Sequence, residues 1–145
     1  MNPVMRWMWR MGNRMGVSMY RRSGGRLNGR GADKIPVLLL TVPGRRSGQL
    51  RTTPVGYFED GGGYLVVGAG GGMPHDPDWF KNLRAASTAD VEIGRRSFTA
   101  SVAELTGGER GRAFRDIVVA RSPRFANYEG KSGRRMPVAR LTPMV

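Results

Sequence analysis

Residues 41–55 read TVPGRRSGQLRTTPV and gather Arg45, Arg46 and Arg51 around a turn bounded by Gly44 and Gly48. Guanidinium groups are fork-shaped donors that match phosphate and carboxylate oxygens, and a tight glycine turn aims backbone amides inward. The segment therefore reads as an anion site. On composition alone a charged turn of this kind is equally at home as a solvated hairpin tip.

Other chemistries have less to work with. The chain contains no cysteine, which removes thiolate catalysis, thiolate metal sites and disulfides. Its single histidine, His75, stands beside Asp76 and Asp78, too few ligands for a metal centre, so a solvated loop histidine is expected. Neither a nucleophile elbow nor a phosphate-loop lysine is present, and no pair of carboxylates suggests acid–base hydrolysis. Redox chemistry would have to be carried by a bound cofactor. Against 11 acidic residues stand 24 basic ones, a formal charge of +13, which favours anionic partners. Nucleic acid is one such partner, but the aromatics do not form the repeated stacking platform of single-strand readers.

The elements that must position these residues follow from hydrophobic patterning. A chain of 145 residues encloses one core. IPVLLLTV (35–42), RTTPVGYF (51–58) and YLVVGA (64–69) read as strands, with EDGGG (59–63) as a hairpin turn. Residues 91–105 form a second hairpin, with Phe98, Ala100 and Val102 pointing inward, and MPVARL (136–141) is the last strand. Asp76 is the expected N-cap of a short helix with Pro77 in its first position, ending near Ala86. Thr106 and Glu109 have capping-box spacing at the head of another helix, with Ala113, Phe114, Ile117 and Val118 as its apolar face, stopping before Pro123. Runs of antiparallel strands with inserted helices predict an α+β barrel.

Ahead of this body, residues 1–20 place Val4, Met5, Trp7, Met8, Met11, Met15 and Met19 on one arc of a helix, at about 100° per residue, opposite Arg6, Arg10 and Arg14. Arginines interrupt any signal-peptide core or membrane span. Such a helix either docks its apolar face on the domain or lies in an anionic membrane interface. RRSGGRLNGRG (21–31) reads as a flexible basic connector, so residues 1–31 precede a folded domain at 32–145.

LLLTVPGRRSGQLRTTPV, YLVVGAGGG, DPDWFKNL, SPRFANYEG and MPVARL, in that order, resemble the deazaflavin-dependent nitroreductase family of actinobacteria, including its F420H2-dependent quinone reductase-like members. The likeness spans about Val37 to Leu141 and is carried by the ordered set. It implies a split β-barrel of the FMN-binding type, coenzyme F420 as hydride donor, and a lipophilic acceptor: a quinone, an unsaturated ketone or a nitroaromatic. FMN stands second as cofactor because split barrels also host it. The resemblance assigns Arg45, Arg46, Ser47, Gly48, Arg51, Thr52 and Thr53 to the phosphate-bearing arm of the coenzyme. Val67, Gly68, Ala69 and Gly70 would border its ring, and Asp78, Trp79, Lys81 and Asn82 would line its groove. Tyr128 keeps a position at which the family places an acceptor-side tyrosine and is the candidate proton or hydrogen-bond donor, or else a packed contact of the bound coenzyme. Phe125 and Lys131 replace other family aromatics, so nitro reduction is not implied. A non-catalytic deazaflavin-binding protein and a basic nucleic-acid-binding module are the alternatives. The expected location is the cytoplasm, with the N-terminal helix offering peripheral attachment to the inner face of the membrane.

Overall fold

Gly56 and Tyr57 decide the shape of the sheet. The computed structural model describes residues 3–25 and 34–144. In it the apolar runs become strands β1 (Val37–Pro43), β2 (Leu50–Gly56), β3 (Phe58–Asp60) and β4 (Gly63–Val67), followed by β5 (Thr88–Ile93), β6 (Arg96–Glu104) and β7 (Val138–Pro143). The order across the sheet is β2-β1-β5-β6-β7-β4-β3, with every pairing antiparallel. RTTPVGYF was expected to be one strand; it is two, β2 on one edge and the start of β3 on the other. Only Tyr57 separates them, so the two edges of the sheet approach each other and the sheet curls into a split barrel. The corner is pinned by Tyr57 N–H donating to the Pro36 carbonyl at 2.9 Å. A Cβ at residue 56 would lie 3.2 Å from Ile35 Cγ2, tighter than ordinary packing.

Inside the curl, Leu38, Leu40, Val42, Val66, Val91 and Leu141 pack with Phe80 and Leu83. A second cluster joins Leu65, Val67, Met136 and Val138 to Phe114 and Val118. The reason that β1 is apolar on both faces is α1 (Pro3–Ser23), which covers Leu39 with Val17 and Tyr20. Tyr20 is fully buried. Its hydroxyl donates to the Val37 carbonyl at 2.9 Å and accepts the Gly94 N–H at 2.9 Å. Arg21 adds a bidentate bond to Glu92, and Asn13 Nδ2 donates to the Thr52 carbonyl at 2.7 Å. Glu92 accordingly raises the affinity of the Arg21 guanidinium for its proton, against a smaller opposing effect of burial.

Among the described side chains, the docked face of α1 is thus Asn13, Val17 and Tyr20. Val4, Met15 and Met19 of the methionine arc are 66%, 64% and 42% exposed; the side chains of Met5, Trp7, Met8 and Met11 lie outside the described residues. The helix also runs through Ser23, into the segment expected as connector, and residues 26–33 of that connector lie outside the described residues. Tyr20→Phe should cost about 1–3 kcal/mol, because it leaves the part-buried Gly94 N–H without its acceptor; chemical denaturation of the full chain measures it.

Both expected helix caps are used differently. α2 is Asp78–Arg84 with Pro77 as N-cap, and no side chain caps it. The Asp76 carboxylate is taken instead by Arg84 and Arg134, at 2.8 and 2.7 Å. α3 (Gly107–Ala113) has Thr106 at its N-cap position without a side-chain bond, while Glu109 pairs with Arg140. Ion pairs supplied by the fold outcompete both local caps. α3 continues into a π-helical turn, Phe114–Val119, and α4 (Arg124–Ser132) follows. The last strand starts two residues later than MPVARL suggested, because Met136 is buried under α3 and α4.

Candidate active site

The basic turn is built on its own backbone. Gly44 N–H donates to the Gln49 carbonyl at 2.7 Å, Gly48 N–H to the Gly44 carbonyl at 2.8 Å, and Gln49 N–H to Ser47 Oγ at 3.2 Å. Gly48 has φ +74°, a conformation that excludes most side chains. The three arginines divide into two kinds. Arg45 is held from behind: its backbone N–H and its Nη1 both donate to Asn82 Oδ1, at 3.1 and 2.8 Å, and its Nη2 lies 3.4 Å from Asp78 Oδ1. Asn82 is buried, so α2 fixes the turn through this amide. The side chains of Arg46 and Arg51 are exposed and have no hydrogen-bond or ion-pair partner among the described residues. Two free cationic forks therefore project from a braced loop.

Beyond the turn, β2 carries Thr52, whose hydroxyl is 2.7 Å from that of Thr41, then Thr53 and the segment Pro54–Gly56. That last segment forms one wall of a cleft of ≈ 230 Å³. Val67, Ala69, Gly70 and Gly71 line it from the loop after β4, and Trp79 of α2 with Phe125 and Tyr128 of α4 complete the lining. From Arg51 to Pro54 is three residues of extended chain, about 10 Å. Turn and cleft thus lie at opposite ends of β2.

Of the expected ring-side residues, Val67, Ala69 and Gly70 line the cleft, whereas Gly68 lies behind it. A Cβ there would stand 2.8 Å from Pro137 and 2.9 Å from Phe80, so the glycine allows the loop to pack on the core. Asp78 and Asn82 serve the turn through Arg45, and Lys81 sits between them on α2, away from the cleft lining. Trp79 meets Phe80 edge to face at 5.5 Å while still lining the cleft. Phe125 packs edge to face on Phe58 at 5.7 Å and on Tyr128 at 5.4 Å, which makes it a wall and not a donor. Pro54, Val55, Gly56 and Gly71 were missed by sequence reasoning; a strand that contributes a wall gives no motif. His75 is exposed, its Nδ1 3.3 Å from the Asp76 carbonyl, and among the described residues no cluster of three or more metal-ligating groups occurs.

A second cavity, ≈ 250 Å³, opens between Asp60, Arg112, Asp116 and Arg140. Arg140 spans it with ion pairs to Asp60 and Glu109, and the charges that line it balance, Asp60 and Asp116 against Arg112 and Arg140.

The model of the F420H2-dependent quinone reductase family matches residues 12–143. The chain belongs to that family. An F420H2-dependent quinone reductase of Mycobacterium tuberculosis is 32% identical over 131 residues, 89% of this chain and 88% of the relative. A solved F420-H2 dependent reductase (FDR-A) superposes with a TM-score of 0.65 at 33% identity, covering 73% of this chain and 93% of the other. A second solved chain, reported as a domain-swapped dimer, gives a TM-score of 0.67 at 26% identity over 94% and 98% of the two chains. The F420H2-dependent reductase family thus accounts for the split barrel, for an oxidoreductase activity and for reduced F420 as its hydride donor.

Proposed function

We propose that this F420H2-dependent reductase holds the deazaflavin ring in the cleft between β2 and the loop after β4, and delivers its hydride to an apolar acceptor, a quinone before a nitroaromatic. The observation that carries this is the cleft's lining: Pro54, Val55, Val67, Ala69, Trp79 and Phe125 are apolar, and Tyr128 supplies the one side-chain hydroxyl. Gly70 and Gly71, both at positive φ, present bare backbone to the cleft, and no heavy atom lies within 4 Å of where a Gly71 Cβ would stand. A flat ring fits a wall without side chains. The phosphate-bearing arm would then follow β2 to Arg46 and Arg51, with Ser47, Gly48, Thr52 and Thr53 along its path and Arg45, Asp78 and Asn82 bracing the turn.

When bound, the reduced coenzyme supplies the hydride. The chain's own residues orient it, exclude water with Trp79 and Phe125, and offer the Tyr128 hydroxyl as a donor to the acceptor oxygen. Phe125 has no hydrogen to donate, so a nitro group, which needs its oxygens supported, is the poorer acceptor. The test is the rate of F420H2 oxidation with a naphthoquinone and with a nitroimidazole, for the wild type and Tyr128→Phe. The expected result is faster quinone turnover in the wild type, reduced about tenfold in the variant by loss of one hydrogen bond. Equal quinone rates in both proteins would remove Tyr128 from the chemistry; coenzyme binding without oxidation by any acceptor would leave a deazaflavin-binding protein.

The exposed arc of α1 supports peripheral attachment to an anionic bilayer. Val4, Met15 and Met19 face away from the barrel, Arg14 and Arg22 are exposed beside them, and an apolar strip flanked by cations suits a lipid interface. Among the described residues no helix is long and apolar enough to cross a membrane. This reading puts the protein at the inner face of the cell membrane, where a lipophilic acceptor partitions. Deleting the helix would also remove Tyr20 from the fold, so the cleaner test is Met15→Glu with Met19→Glu. Flotation with vesicles containing anionic phospholipid should carry the wild type and lose the variant. Equal flotation would reject the attachment.

A further inference from the structure

The loop joining β4 to α2 forms a wall of the cleft, yet its sequence has little means of holding a shape. Gly70, Gly71 and Gly72 occupy φ values of +56°, +69° and +88° in succession, and glycine loses more conformational freedom on ordering than any other residue. Within the run there is one backbone bond, from Gly72 N–H to the Ala69 carbonyl at 3.0 Å.

Gly68 N–H donates to the Pro137 carbonyl at 2.9 Å, and four more hydrogen bonds reach the loop from a single side chain near the far end of the sequence. Arg134 donates Nη2 to the carbonyls of Gly68 and Ala69, at 3.1 and 3.3 Å, and Nε to the carbonyl of Met73 at 3.0 Å. Its Nη1 donates to Asp76 Oδ1 at 2.7 Å. The guanidinium thus contacts the chain on both sides of the glycine run and closes it like a clasp. The side chain is only 16% exposed and does not line the cleft. Asp76 is tethered a second time, through Arg84, which also grips Glu104 of β6 at 2.7 Å. Arg134 is itself anchored: it follows Gly133, whose φ of +70° ends α4, and its N–H donates to Ser132 Oγ at 3.3 Å. Arg134 therefore ties the glycine wall to the helix that carries Phe125 and Tyr128, beside the direct approach of Tyr128 and Lys131 to Gly72, where a Cβ would lie 3.2 and 3.5 Å from them.

We propose that Arg134 is a positioning residue that holds the glycine loop 68–76 in the shape required by the deazaflavin ring and sets its spacing from α4. This rests on the reading of the cleft as the ring site. Lysine cannot replace it, because a point charge with three donors does not span carbonyls on both sides of the loop and a carboxylate at once.

The experiment compares full-length wild type, Arg134→Ala and Arg134→Lys by two readouts. The first is amide hydrogen exchange of residues 68–77 without coenzyme. Faster exchange confined to this segment and α4 is expected in Arg134→Ala, with Arg134→Lys intermediate. The second is F420 affinity, expected to fall about tenfold or more in Arg134→Ala and to recover in part when guanidinium ion is added at low millimolar concentration. A general loss of stability would not be rescued in this way. Wild-type exchange at 68–77 in both variants overturns the proposal, as does faster exchange with unaltered F420 affinity. If Arg134→Ala fails to fold, Arg134→Lys carries both readouts with the same criteria. Should the wild type itself not bind F420, the cleft assignment fails, while the exchange result still decides whether Arg134 holds the loop.

Discussion

Replacing Arg46 and Arg51 together with alanine will weaken F420 binding by several kcal/mol and leave the fold intact. Both side chains are exposed and unpartnered among the described residues, so nothing in the protein is lost with them. Surface substitutions of this kind change stability by about 0.5 kcal/mol or less. A hydrogen bond to a charged group is worth about 1.5–3 kcal/mol, and two guanidinium forks on one phosphate supply at least two such bonds. Fluorescence titration of the oxidised coenzyme measures the loss, and a thermal melt of the same samples checks the fold. Arg45→Ala should behave in the opposite way. It removes the Nη1 donor to buried Asn82 Oδ1 and leaves the backbone N–H as that oxygen's donor from the turn, so it should lower the melting temperature and affect the coenzyme only through a loosened turn. Wild-type binding should also weaken with added salt more steeply than that of the double variant, since screening acts on the charges that remain. Unchanged affinity in the double variant would return the turn to solvent.

That division among three neighbouring arginines shows what was legible in the sequence. The type and spacing of Arg45, Arg46 and Arg51 suited an anion site and a solvated turn equally, and the apolar runs around them announced strands. Which arginine braces and which stays free depends on Asn82, more than thirty residues away, and becomes readable only when α2 packs beside the turn. RTTPVGYF misleads for a related reason. Its apolar character is continuous because both halves are half-buried in the same barrel, although they belong to opposite edges of the sheet. Asp76 satisfied every local rule for an N-cap, but a local cap is worth about 1 kcal/mol and two arginines offered more. SPRFANYEG, with its proline, asparagine and glycine, carries turn residues throughout, and the helix it forms is imposed by Phe125 and Tyr128 packing on the core. Arg134 gave no signal at all, because its partners lie 58 to 66 residues earlier in the chain.

Arg110→Ala should be the most destabilising of the single substitutions considered, at about 3–5 kcal/mol, the usual cost of breaking a buried ion pair from one side. Arg110 is only 9% exposed. Its Nη2 donates to Glu129 Oε2 at 2.6 Å and to the Met136 carbonyl at 2.6 Å, and Nε donates to the same carbonyl at 3.1 Å. Its guanidinium carbon lies 4.4 Å from the centre of the Phe114 ring. Glu129 Oε2 in turn accepts the Met136 N–H at 2.7 Å. One charge pair therefore joins α3, α4 and the entry to β7, and alanine at 110 strands a half-buried carboxylate. At about 2–4 °C per kcal/mol for a domain of this size, the melting temperature should fall by roughly 10 °C or more. The coupling is separable from simple loss of packing. If the stranded charge is what hurts, adding Glu129→Ala to Arg110→Ala will cost little more than Arg110→Ala alone, and the two effects will be strongly non-additive. Strict additivity would mean that the pair is incidental. Because Tyr128 precedes Glu129 on α4, this ion pair also fixes the place of Tyr128 at the cleft. Arg110→Lys, which keeps the charge but not the fork, should therefore raise the acceptor KM at temperatures where the protein is still fully folded.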